Sequence, residues 1–477
     1  MNDKQVKEIT SRDVDFAAWY TDVCKKADLV DYSSVKGSMI IRPYGYAIWE
    51  NMQKILDKKF KETNHENLQM PMFIPESLLN VEKDHVEGFA PEVAWVTHGG
   101  KNELEERMCV RPTSETLFCE HFKKIISSYR DLPLLYNQWC TIVRWEKTTR
   151  PFLRTREILW QEGHTMHASK EDAINETLKM HKIYEDFQKN VLAVPVITGK
   201  KTDKEKFAGA VDTYSVEAMM YDGVALQSAT SHYFGQGFAN AFDIKFLNKD
   251  NKLEAPYQTS WGCTTRMIGE IIMVHSDDRG LVLPPRIAPY KVIIIPIGDD
   301  EEVTNAVNEI VNDLKYANVT YKIDNSNKTP GFKFAESEVK GYPIRIEVGK
   351  RDLEKGVVTL VRRDTLEKIE APLDEAVIKV NELLINIQND MYDKVLKRRD
   401  KMIYNAKTKD EFIEDIKKPG FTFANWCGST DCELKIKDEY GIKTRCIPFE
   451  NNAPDGNKKC VCCDKDATTK IYFAKQY

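Results

Sequence analysis

Hydrophobic and polar residues change their spacing along the chain in a way that separates helices from strands. Apolar positions recur every three to four residues in 15–30, 45–63 and 169–192, which predicts amphipathic helices there. Strands are predicted where apolar and polar residues alternate or form short apolar runs, at 138–146, 156–167, 224–236 and 271–283. Because connections of hairpin length join strands in this region, we expect an α+β fold with an antiparallel sheet.

The pattern changes after the proline-containing segment LVLPPRIAP at 281–289. An apolar strand (KVIIIPIG), a helix and further strands then follow, which predicts a small α/β domain. A long helical stretch at 373–406 leads into a third, cysteine-containing unit that we also expect to be a small α/β domain. We therefore predict three domains, with the bounds 1–288, 289–395 and 396–477.

Composition narrows the class of protein. The chain has 477 residues, of which 42% are hydrophobic and 30% charged, and no apolar run approaches the ~20 residues that span a bilayer. The amino-terminal segment is polar and of mixed charge, which predicts a cytoplasmic protein without a membrane partner. The sequence contains no GxxxxGK[ST] or HIGH-type segment, which argues against P-loop and class I nucleotide sites.

The net charge of −5 argues mildly against nucleic acid as a partner, but the carboxyl-terminal part of the chain differs. Residues 396–477 contain 17 Lys and Arg against 13 Asp and Glu. The basic residues include a cluster formed by Lys397, Arg398, Arg399 and Lys401. This cluster has two interpretations, a solvated helix face or a surface for a phosphate backbone.

Arginines are concentrated around the predicted hairpin of 138–146 and 156–167. They are Arg144, Arg150, Arg154 and Arg156. Guanidinium groups bind phosphate and carboxylate through paired, permanently charged donors, so their density indicates an anion-binding site. The alternative is a solvated hairpin whose arginines pair with Glu146 and Glu157.

The full string around this hairpin, RWE followed by RPFLRTREILWQEGH, resembles motif 2 of the class II aminoacyl-tRNA synthetases in its prolyl-specific form. Other segments resemble the same family in the same order. They are LQMPMF (68–73) for the end of motif 1, RPTSET (111–116) for the amino-acid loop, LQSATSHYFGQ (226–236) for the central strand and 260–289 for motif 3. The resemblance extends from about Asp13 to Tyr477. It implies a catalytic antiparallel-sheet domain, an α/β anticodon-binding domain and a zinc-containing carboxyl-terminal domain.

The resemblance also implies a reaction and its nucleotide site. Proline and ATP would form prolyl-adenylate with release of pyrophosphate, and proline would then be transferred to tRNA(Pro) with release of AMP. Arg144 matches the arginine that contacts the α-phosphate and the substrate carboxylate, and it is the catalytic candidate. The implied ATP residues are Arg144, Glu146, Arg154, Thr155, Gln227, Thr230, Thr264 and Arg266. Mg²⁺ is expected with ATP.

A second group of residues matches the proline pocket of the family. Thr113 and Glu115 match the acceptors of the substrate ammonium group, and His232 matches a proline-contacting position. Trp160, His164 and Phe207 match the wall around the proline ring. Arg144 completes the implied set at the substrate carboxylate. Taken alone, an aromatic residue at strand spacing is more often part of a core.

Two departures from the family's pattern change what we expect of the tRNA contacts and of the type within the family. Residues 147–149 differ from relatives with histidine and proline there, so contacts to the tRNA acceptor end stay open. No large insertion separates motifs 2 and 3, whereas bacterial-type relatives carry a hydrolytic editing domain at this place. The chain therefore resembles the archaeal/eukaryotic-like type. Motif 1, a helix and then a strand ending at Pro71, implies a homodimer.

Two alternative hypotheses about the function of a class II-like chain make different predictions. A paralogue that adenylates an amino acid without using tRNA predicts that the anticodon domain is missing, but the segment from KVIIIPIG onward resembles that domain. A synthetase-like regulator that senses uncharged tRNA predicts loss of Arg144, Glu146 or Arg266, and all three are present. Proline activation therefore remains the leading hypothesis.

Six of the eleven cysteines lie between Cys427 and Cys463. Clustered cysteines in a reducing compartment indicate a metal rather than disulfides. The predicted ligands of a structural zinc are Cys427, Cys432, Cys460 and Cys463, with Cys462 as the alternative to Cys463. Cys463 is preferred because the following DKDA resembles the turn after the second cysteine pair in CxxC relatives. The other interpretation is a set of neighbouring reduced thiols.

Overall fold

The computed structural model describes residues 9–85 and 92–477, so the first eight residues of the predicted 1–288 domain lie outside the described part. The helices up to residue 275 are α1 (Phe16–Lys26), α2 (Pro43–Glu62), α3 (Glu76–His85), α4 (Glu115–Ile125), α5 (Lys170–Asn190), α6 (Gly237–Ala241) and α7 (Arg266–His275). The strands begin with β1 (Val30–Tyr32), β2 (Met39–Ile41), β3 (Glu66–Asn67), β4 (Phe73–Pro75), β5 (Trp95–Gly99), β6 (Asn102–Val110) and β7 (Leu134–Val143). They continue with β8 (Glu157–His167), β9 (Val196–Lys200), β10 (Asp212–Met219), β11 (Ala225–Gly235), β12 (Phe246–Leu247), β13 (Leu253–Glu254) and β14 (Tyr257–Thr264).

The remainder of the chain forms two further groups of elements. The first comprises β15 (Val292–Ile297), α8 (Glu301–Tyr316), β16 (Tyr321–Ile323), α9 (Pro330–Lys340), β17 (Ile344–Gly349), α10 (Lys350–Leu353), β18 (Val357–Arg362), β19 (Lys368–Pro372) and α11 (Ala376–Lys401). The second comprises β20 (Ile403–Ala406), α12 (Lys409–Asp415), β21 (Phe421–Trp426), α13 (Thr430–Tyr440), β22 (Lys443–Thr444), β23 (Ile447–Pro448) and β24 (Thr469–Ala474).

A large sheet organises the amino-terminal part of the described chain. Its strand order is β23-β9-β10-β11-β14-β8-β7-β3. Neighbouring strands are antiparallel except for the short parallel pair of β3 and β7, so the sheet is mixed although mostly of the predicted antiparallel kind. β7 and β8 pair from Leu134–Met166 to Val143–Glu157, which confirms the predicted hairpin and leaves 144–156 as its connection.

The predicted strand at 271–283 is wrong. Residues up to His275 belong to helix α7, and the strand of this region is β14, which ends at Thr264. All side chains from Met267 to Val274 are buried, so the helix lacks the polar face that reveals an amphipathic helix. A short apolar run of this kind does not distinguish a buried helix from a buried strand by periodicity.

The end of the motif 1 segment also differs from the prediction. β3 ends at Asn67, four residues before Pro71, and β4 begins at Phe73 after it. Directly before Pro71, the backbone N–H of Met70 donates to the side chain of Gln138 instead of to a strand partner, and Pro71 itself has no N–H to donate.

The second group of elements forms the predicted α/β unit. Its sheet order is β16-β15-β17-β18-β19, with β15 parallel to both of its neighbours and the last two pairs antiparallel. Helix α9 was not predicted, because the lysines and glycines of this segment are typical of a connection between strands. Its ends nevertheless carry ordinary signals, with Pro330 in the first turn and Gly341 at φ +71° after the last.

Helix α11 runs from Ala376 to Lys401, across the expected division between residues 395 and 396. Two arginines of its basic cluster fix it to the amino-terminal part of the chain. Arg398 donates to the carbonyl of Val274 at 3.1 Å, and Arg399 donates to that of Val196 at 3.2 Å. Lys397 and Lys401 are exposed, so neither interpretation describes the whole cluster.

Several hydrophobic clusters stabilise these units. One joins the large sheet to α1, α2, α5 and α7, a second lies among α4, α6 and neighbouring strands, and a third fills the unit built on β15. A smaller cluster in the carboxyl-terminal unit includes several cysteines. Within the described residues, no helix is both long and apolar enough to cross a membrane.

Candidate active site

A cavity of about 230 Å³ lies among strands β8, β11 and β14 and the first turn of α7. It is lined by most of the residues predicted from the sequence, namely Thr113, Glu115, Arg144, Thr155, Trp160, His164, Phe207, Gln227, Thr230, His232, Thr264 and Arg266. The other two predicted residues, Glu146 and Arg154, approach each other to 3.9 Å beside it. The fold thus brings segments from five distant parts of the chain around one cavity.

The four arginines of the hairpin do not share one anion site. Arg144 lines the cavity, and its backbone N–H donates to the carbonyl of Arg156 at 2.8 Å, continuing the hairpin by one pair. The guanidinium of Arg156 lies 4.3 Å from the ring centre of Trp145, and that of Arg150 lies 5.6 Å from that of Tyr477. These two contacts are cation–π interactions, which account for the extra arginines structurally.

The part of the cavity around Arg144, Thr264 and Arg266 is called the arginine end. Arg144 donates through Nε to the carbonyl of Pro112 at 3.1 Å. Arg266 donates through Nε to Leu153 and through a terminal nitrogen to Gln227, each at 3.3 Å. These carbonyl contacts orient the guanidinium groups without neutralising them.

Burial affects both guanidinium groups, and repulsion from neighbouring arginines affects Arg266. Burial, together with the nearby positive charges of Arg144 and Arg154, lowers the pKa of Arg266 to about 10. Burial also lowers the pKa of Arg144, against the opposing effect of Glu115 and other carboxylates. Two cations held this close favour an anionic ligand, because an anion relieves their repulsion.

The opposite part of the cavity is called the buried end and is formed by Thr113, Glu115, Glu162, His164 and His232. Thr113 donates its hydroxyl hydrogen bond to Glu115. His232 accepts or donates at 2.9 Å to Thr213, and burial lowers the pKa of His232 to about 3. His232 is therefore neutral at physiological pH, and the negative charge of this end comes from carboxylates.

Glu162 was missed by the sequence analysis, although it lies at the centre of the buried end. Its carboxylate accepts from Ser114 Oγ at 2.5 Å and from Gln138 Nε2 at 2.6 Å, and it contacts His164 Nε2 at 2.9 Å. Burial alone would raise the pKa of Glu162, but these hydrogen bonds lower it below its usual value. No sequence pattern links the partners, because they come from three separate elements.

Gly163, between Glu162 and His164 in the QEGH string, is required by the packing of the sheet. A Cβ at Gly163 would collide with the indole ring of Trp261 on β14, the next strand of the sheet. The absence of a side chain therefore lets the fully buried Trp261 lie against β8 between Glu162 and His164. Gly163 is therefore required for the close packing of β8 against Trp261.

Glu270 is a second buried carboxyl that the sequence analysis missed. It lies one turn after Arg266 on α7 and accepts from Gln188 Nε2 at 3.2 Å. Burial raises its pKa to about 7. Glu270 therefore carries a partial charge near neutral pH and is a weak counter-charge for the arginine end.

The predicted metal ligands also come together. The sulfurs of Cys427, Cys432, Cys460 and Cys463 all lie within 4.8 Å of one another. Cys427 is 3.6 Å from Cys432 and 3.7 Å from Cys463, close to the ~3.8 Å edge of a tetrahedral zinc–thiolate site with ~2.3 Å bonds. The thiol of Cys462 instead points to the carbonyl of Cys432 at 3.7 Å. The sulfur geometry therefore fits the set containing Cys463.

Three family models match successive parts of the chain. Residues 95–275 match the tRNA synthetase class II core domain (G, H, P, S and T), and residues 291–383 match an anticodon-binding domain. Residues 409–477 match the prolyl-tRNA synthetase carboxyl-terminal domain. With the antiparallel sheet and the arginine-containing cavity, these matches define a class II aminoacyl-tRNA synthetase.

Relatives of full length refine the class. A proline–tRNA ligase of Clostridium novyi (strain NT) is 59% identical over 99% of both chains, and proline–tRNA ligase 2 of Bacillus cereus (strain ATCC 14579) is 57% identical over 100% of both. The prolyl-tRNA synthetase of Cryptosporidium parvum, solved with halofuginone and AMPPNP, superposes with a TM-score of 0.95 at 42% identity. That comparison covers 98% of this chain and 99% of the other. The chain belongs to the proline–tRNA ligase family.

Proposed function

We propose that the chain attaches L-proline to tRNA(Pro) in two ATP-dependent steps. Proline and ATP first form prolyl-adenylate and pyrophosphate, and the prolyl group then passes to the tRNA with release of AMP. The observation that carries the proposal is 59% identity over 99% of the chain to a proline–tRNA ligase. The cavity adds a chemical reason, since it combines cationic and carboxylate groups suited to the two ends of an aminoacyl-adenylate.

ATP would occupy the arginine end. Arg144 is proposed to contact the α-phosphate and the proline carboxylate, where it stabilises the charge that develops during attack on phosphorus. Arg266 would take the γ-phosphate, Thr264 the ribose and Glu146 the adenine amino group. The remaining proposed nucleotide residues are Arg154, Thr155, Gln227 and Thr230. Mg²⁺, which class II synthetases use with ATP, would neutralise phosphate charge.

Proline would occupy the buried end. Glu115 and Thr113 are proposed to hold its secondary ammonium group. Trp160, Phe207 and His232 contribute aromatic surface for the ring, and the rings of Phe207 and His232 are 4.7 Å apart. His164, oriented by Glu162, completes the wall. The arrangement brings the substrate carboxylate toward Arg144, as an in-line attack requires.

A structural zinc is proposed for Cys427, Cys432, Cys460 and Cys463. The donor set of four thiolates and the sulfur distances support this assignment. Bound zinc would crosslink the small carboxyl-terminal unit, whose own core is limited. Elemental analysis of the purified chain should give one zinc per chain. The Cys463→Ser variant should lose it and Cys462→Ser should keep it; the reverse result would assign Cys462 instead.

The chain is further proposed to be of the archaeal/eukaryotic-like type without an editing domain. In support, β8 is followed by α5 and then directly by β9, with no domain-sized insertion between 167 and 196. We also propose a homodimer paired through the motif 1 region, and the domain bounds 1–288, 289–395 and 396–477. A cytoplasmic location is proposed because the reaction uses tRNA and ATP.

Aminoacylation tests the proposed function directly. The full chain should transfer labelled proline to tRNA(Pro) in the presence of ATP and Mg²⁺, and a tRNA with a different anticodon should be a much poorer acceptor. Failure to charge tRNA(Pro), with the protein folded and saturated with both substrates, would contradict the proposal.

A further inference from the structure

The carboxyl-terminal unit holds the end of strand β9. Lys200 of β9 pairs with Ile447 of β23, which makes β23 an edge strand of the large sheet. The next residue, Lys201, donates to Glu217 at 2.8 Å, and the same carboxylate accepts from Arg445 at 2.7 Å. All three charged side chains are buried, so this ion triad fixes the unit to β9 and β10.

The following residue, Thr202, makes a separate contact to the same unit. Its hydroxyl donates to Glu433 Oε1 at 3.0 Å, and Thr444 donates to the same oxygen. Thr202, Glu433 and Thr444 are only 3%, 4% and 1% exposed. A buried carboxylate with two hydroxyl donors is strongly constrained, because loss of either donor leaves buried charge less satisfied.

Thr202 also opens the loop of residues 202–210, which we call the proline loop. The hydroxyl oxygen of Thr202 accepts from the backbone N–H of Glu205 at 3.2 Å, and its carbonyl accepts from that of Lys206 at 2.9 Å. Glu205 and Phe207 of this loop line the cavity. One threonine hydroxyl therefore connects Glu433 with the turn that presents Phe207.

The far side of the proline loop is fixed within the large sheet. The N–H of Phe207 donates to Thr213 Oγ1 at 3.0 Å, and that hydroxyl also contacts His232 at 2.9 Å. The loop is thus held at two places, by Thr213 of β10 and by Glu433 of the carboxyl-terminal unit. The first support belongs to the pocket itself, whereas the second comes from a residue that does not line it.

We propose that Glu433 is a positioning residue for the proline loop, through which the carboxyl-terminal unit sets affinity for the amino acid without touching it. This inference rests on the proposed function of the cavity. The ion triad of Lys201, Glu217 and Arg445 docks the unit, and the Thr202–Glu433 contact transmits its position to Phe207. Glu433 directly follows the cysteine ligand candidate Cys432 on α13, so the cysteine cluster and the loop contact share one helix.

Pyrophosphate exchange on the full chain, with the Michaelis constants for proline and ATP measured separately, tests the proposal. Thr202→Val keeps the side-chain shape but removes the hydroxyl. We expect it to raise the KM for proline about tenfold, near the lower end of what one hydrogen bond to a charged group contributes, while KM for ATP and kcat change less than twofold. Thr444→Val is the matched control, with a lower melting temperature but a change in proline KM below threefold.

Variants of the carboxylate separate positioning from folding. Glu433→Ala should raise the KM for proline as Thr202→Val does, and Glu433→Gln, which keeps an acceptor oxygen, should restore most of the affinity. The double variant Thr202→Val/Glu433→Ala should raise the KM for proline little more than the larger single change does, because both single changes remove the contact between Thr202 and Glu433. Additive effects would contradict the proposal.

The remaining outcomes are also distinct. Equal rises in KM for proline and ATP, or a lower melting temperature with unchanged KM for proline, would show that Glu433 has a general structural role and would overturn the inference. If the wild-type chain fails to exchange pyrophosphate with proline, the proposed function itself fails. Normal wild-type exchange with an unaffected Thr202→Val variant rejects the positioning role alone.

Discussion

At the arginine end, the guanidinium groups of Arg144 and Arg266 hydrogen-bond to backbone carbonyls and form no ion pair with a described carboxylate. At the buried end, Glu162 is hydrogen-bonded to four neighbouring side chains, and Glu115 accepts from Thr113. The guanidinium groups of the arginine end therefore lack a carboxylate partner, whereas the carboxylates of the buried end accept hydrogen bonds from neighbouring side chains.

This difference corresponds to the two ligands proposed. ATP brings several negative charges, and cations already held in place stabilise the transition state without reorganising. Proline is small and zwitterionic, so its site gains selectivity from fixed geometry more than from charge. Loss of a residue at the arginine end should therefore reduce catalysis, and loss of one at the buried end should reduce proline affinity.

The largest effect is expected from Arg144→Ala. This change should lower the rate of pyrophosphate exchange by about 10²–10³-fold, the effect of removing one donor to transition-state charge. Steady-state exchange at saturating proline and ATP measures it. Arg130→Ala is the control, because Arg130 is exposed and its guanidinium lies over the ring of Tyr129. A variant rate within a few-fold of the wild type, at an unchanged melting temperature, would contradict the role of Arg144.

Alanine provides the next comparison, because it lacks the ring that the buried end encloses. Alanine lacks the Cγ and Cδ methylenes of proline, and each missing methylene costs about 1–3 kcal/mol, so kcat/KM for alanine should be lower by about 100-fold or more but still measurable. Alanyl-tRNA made by the chain should persist, because no editing domain is proposed. Rapid deacylation of purified alanyl-tRNA by the chain alone would contradict the proposed type.

A smaller effect is expected from Glu162→Gln. The neutral amide has one acceptor oxygen and cannot replace both carboxylate oxygens, so the position of His164 should be less fixed and the KM for proline should rise about tenfold, with the KM for ATP nearly unchanged. Glu157→Gln, at an exposed position on the same strand, is the control. Parallel changes in both Michaelis constants would argue that the two ends are not separable.

The smallest effect concerns Glu270, whose pKa of about 7 exceeds its ordinary value of 4.5. The unfolded chain releases this proton at lower pH than the folded chain, so Glu270 lowers stability as pH rises through that interval. Glu270→Gln should therefore stabilise the chain more at pH 8.5 than at pH 6, by about 1 kcal/mol. Thermal unfolding at both pH values measures this, with exposed Glu309→Gln as the control. A gain that is independent of pH would refute the assignment.

The contribution of Glu162 to stability depends on pH in the opposite sense to that of Glu270. Its hydrogen bonds lower its pKa, so the stability from its ionised form is present above the ordinary glutamate value and is lost as pH falls through the lowered pKa. Glu270 interacts with Gln188 and Ser228, but these contacts lower its pKa less than burial raises it. Burial raises the pKa of both carboxyls, and the direction of the net shift depends on how strongly the neighbouring groups, including His164 beside Glu162, favour the charged form.

Cavity residues are predictable from the sequence when they belong to a continuous motif that the family resemblance identifies. Arg144 and Trp160 belong to strings that the family resemblance identifies directly, and both line the cavity as expected. Glu162 lies in the same string but was missed, because its function depends on Ser114 and Gln138 from other elements. Strand register, which brings these partners together, is not readable from one short segment.

Dependence on tertiary contacts also explains why helix α7 and the contact between Thr202 and Glu433 were not predicted. Helix α7 has no polar face and was therefore predicted as a strand. The contact between Thr202 and Glu433 joins residues 231 positions apart, and no local signal links them. Predictions thus succeed for elements with a clear period and fail where tertiary burial or a long-range hydrogen bond decides the outcome.

Pyrophosphate exchange with each of the twenty amino acids tests the central claim most directly. The same enzyme preparation and ATP concentration are used throughout, so differences report the buried end alone. Proline should give the highest kcat/KM, with alanine lower by about 100-fold and larger residues lower still. An amino acid that drives exchange better than proline would contradict the account.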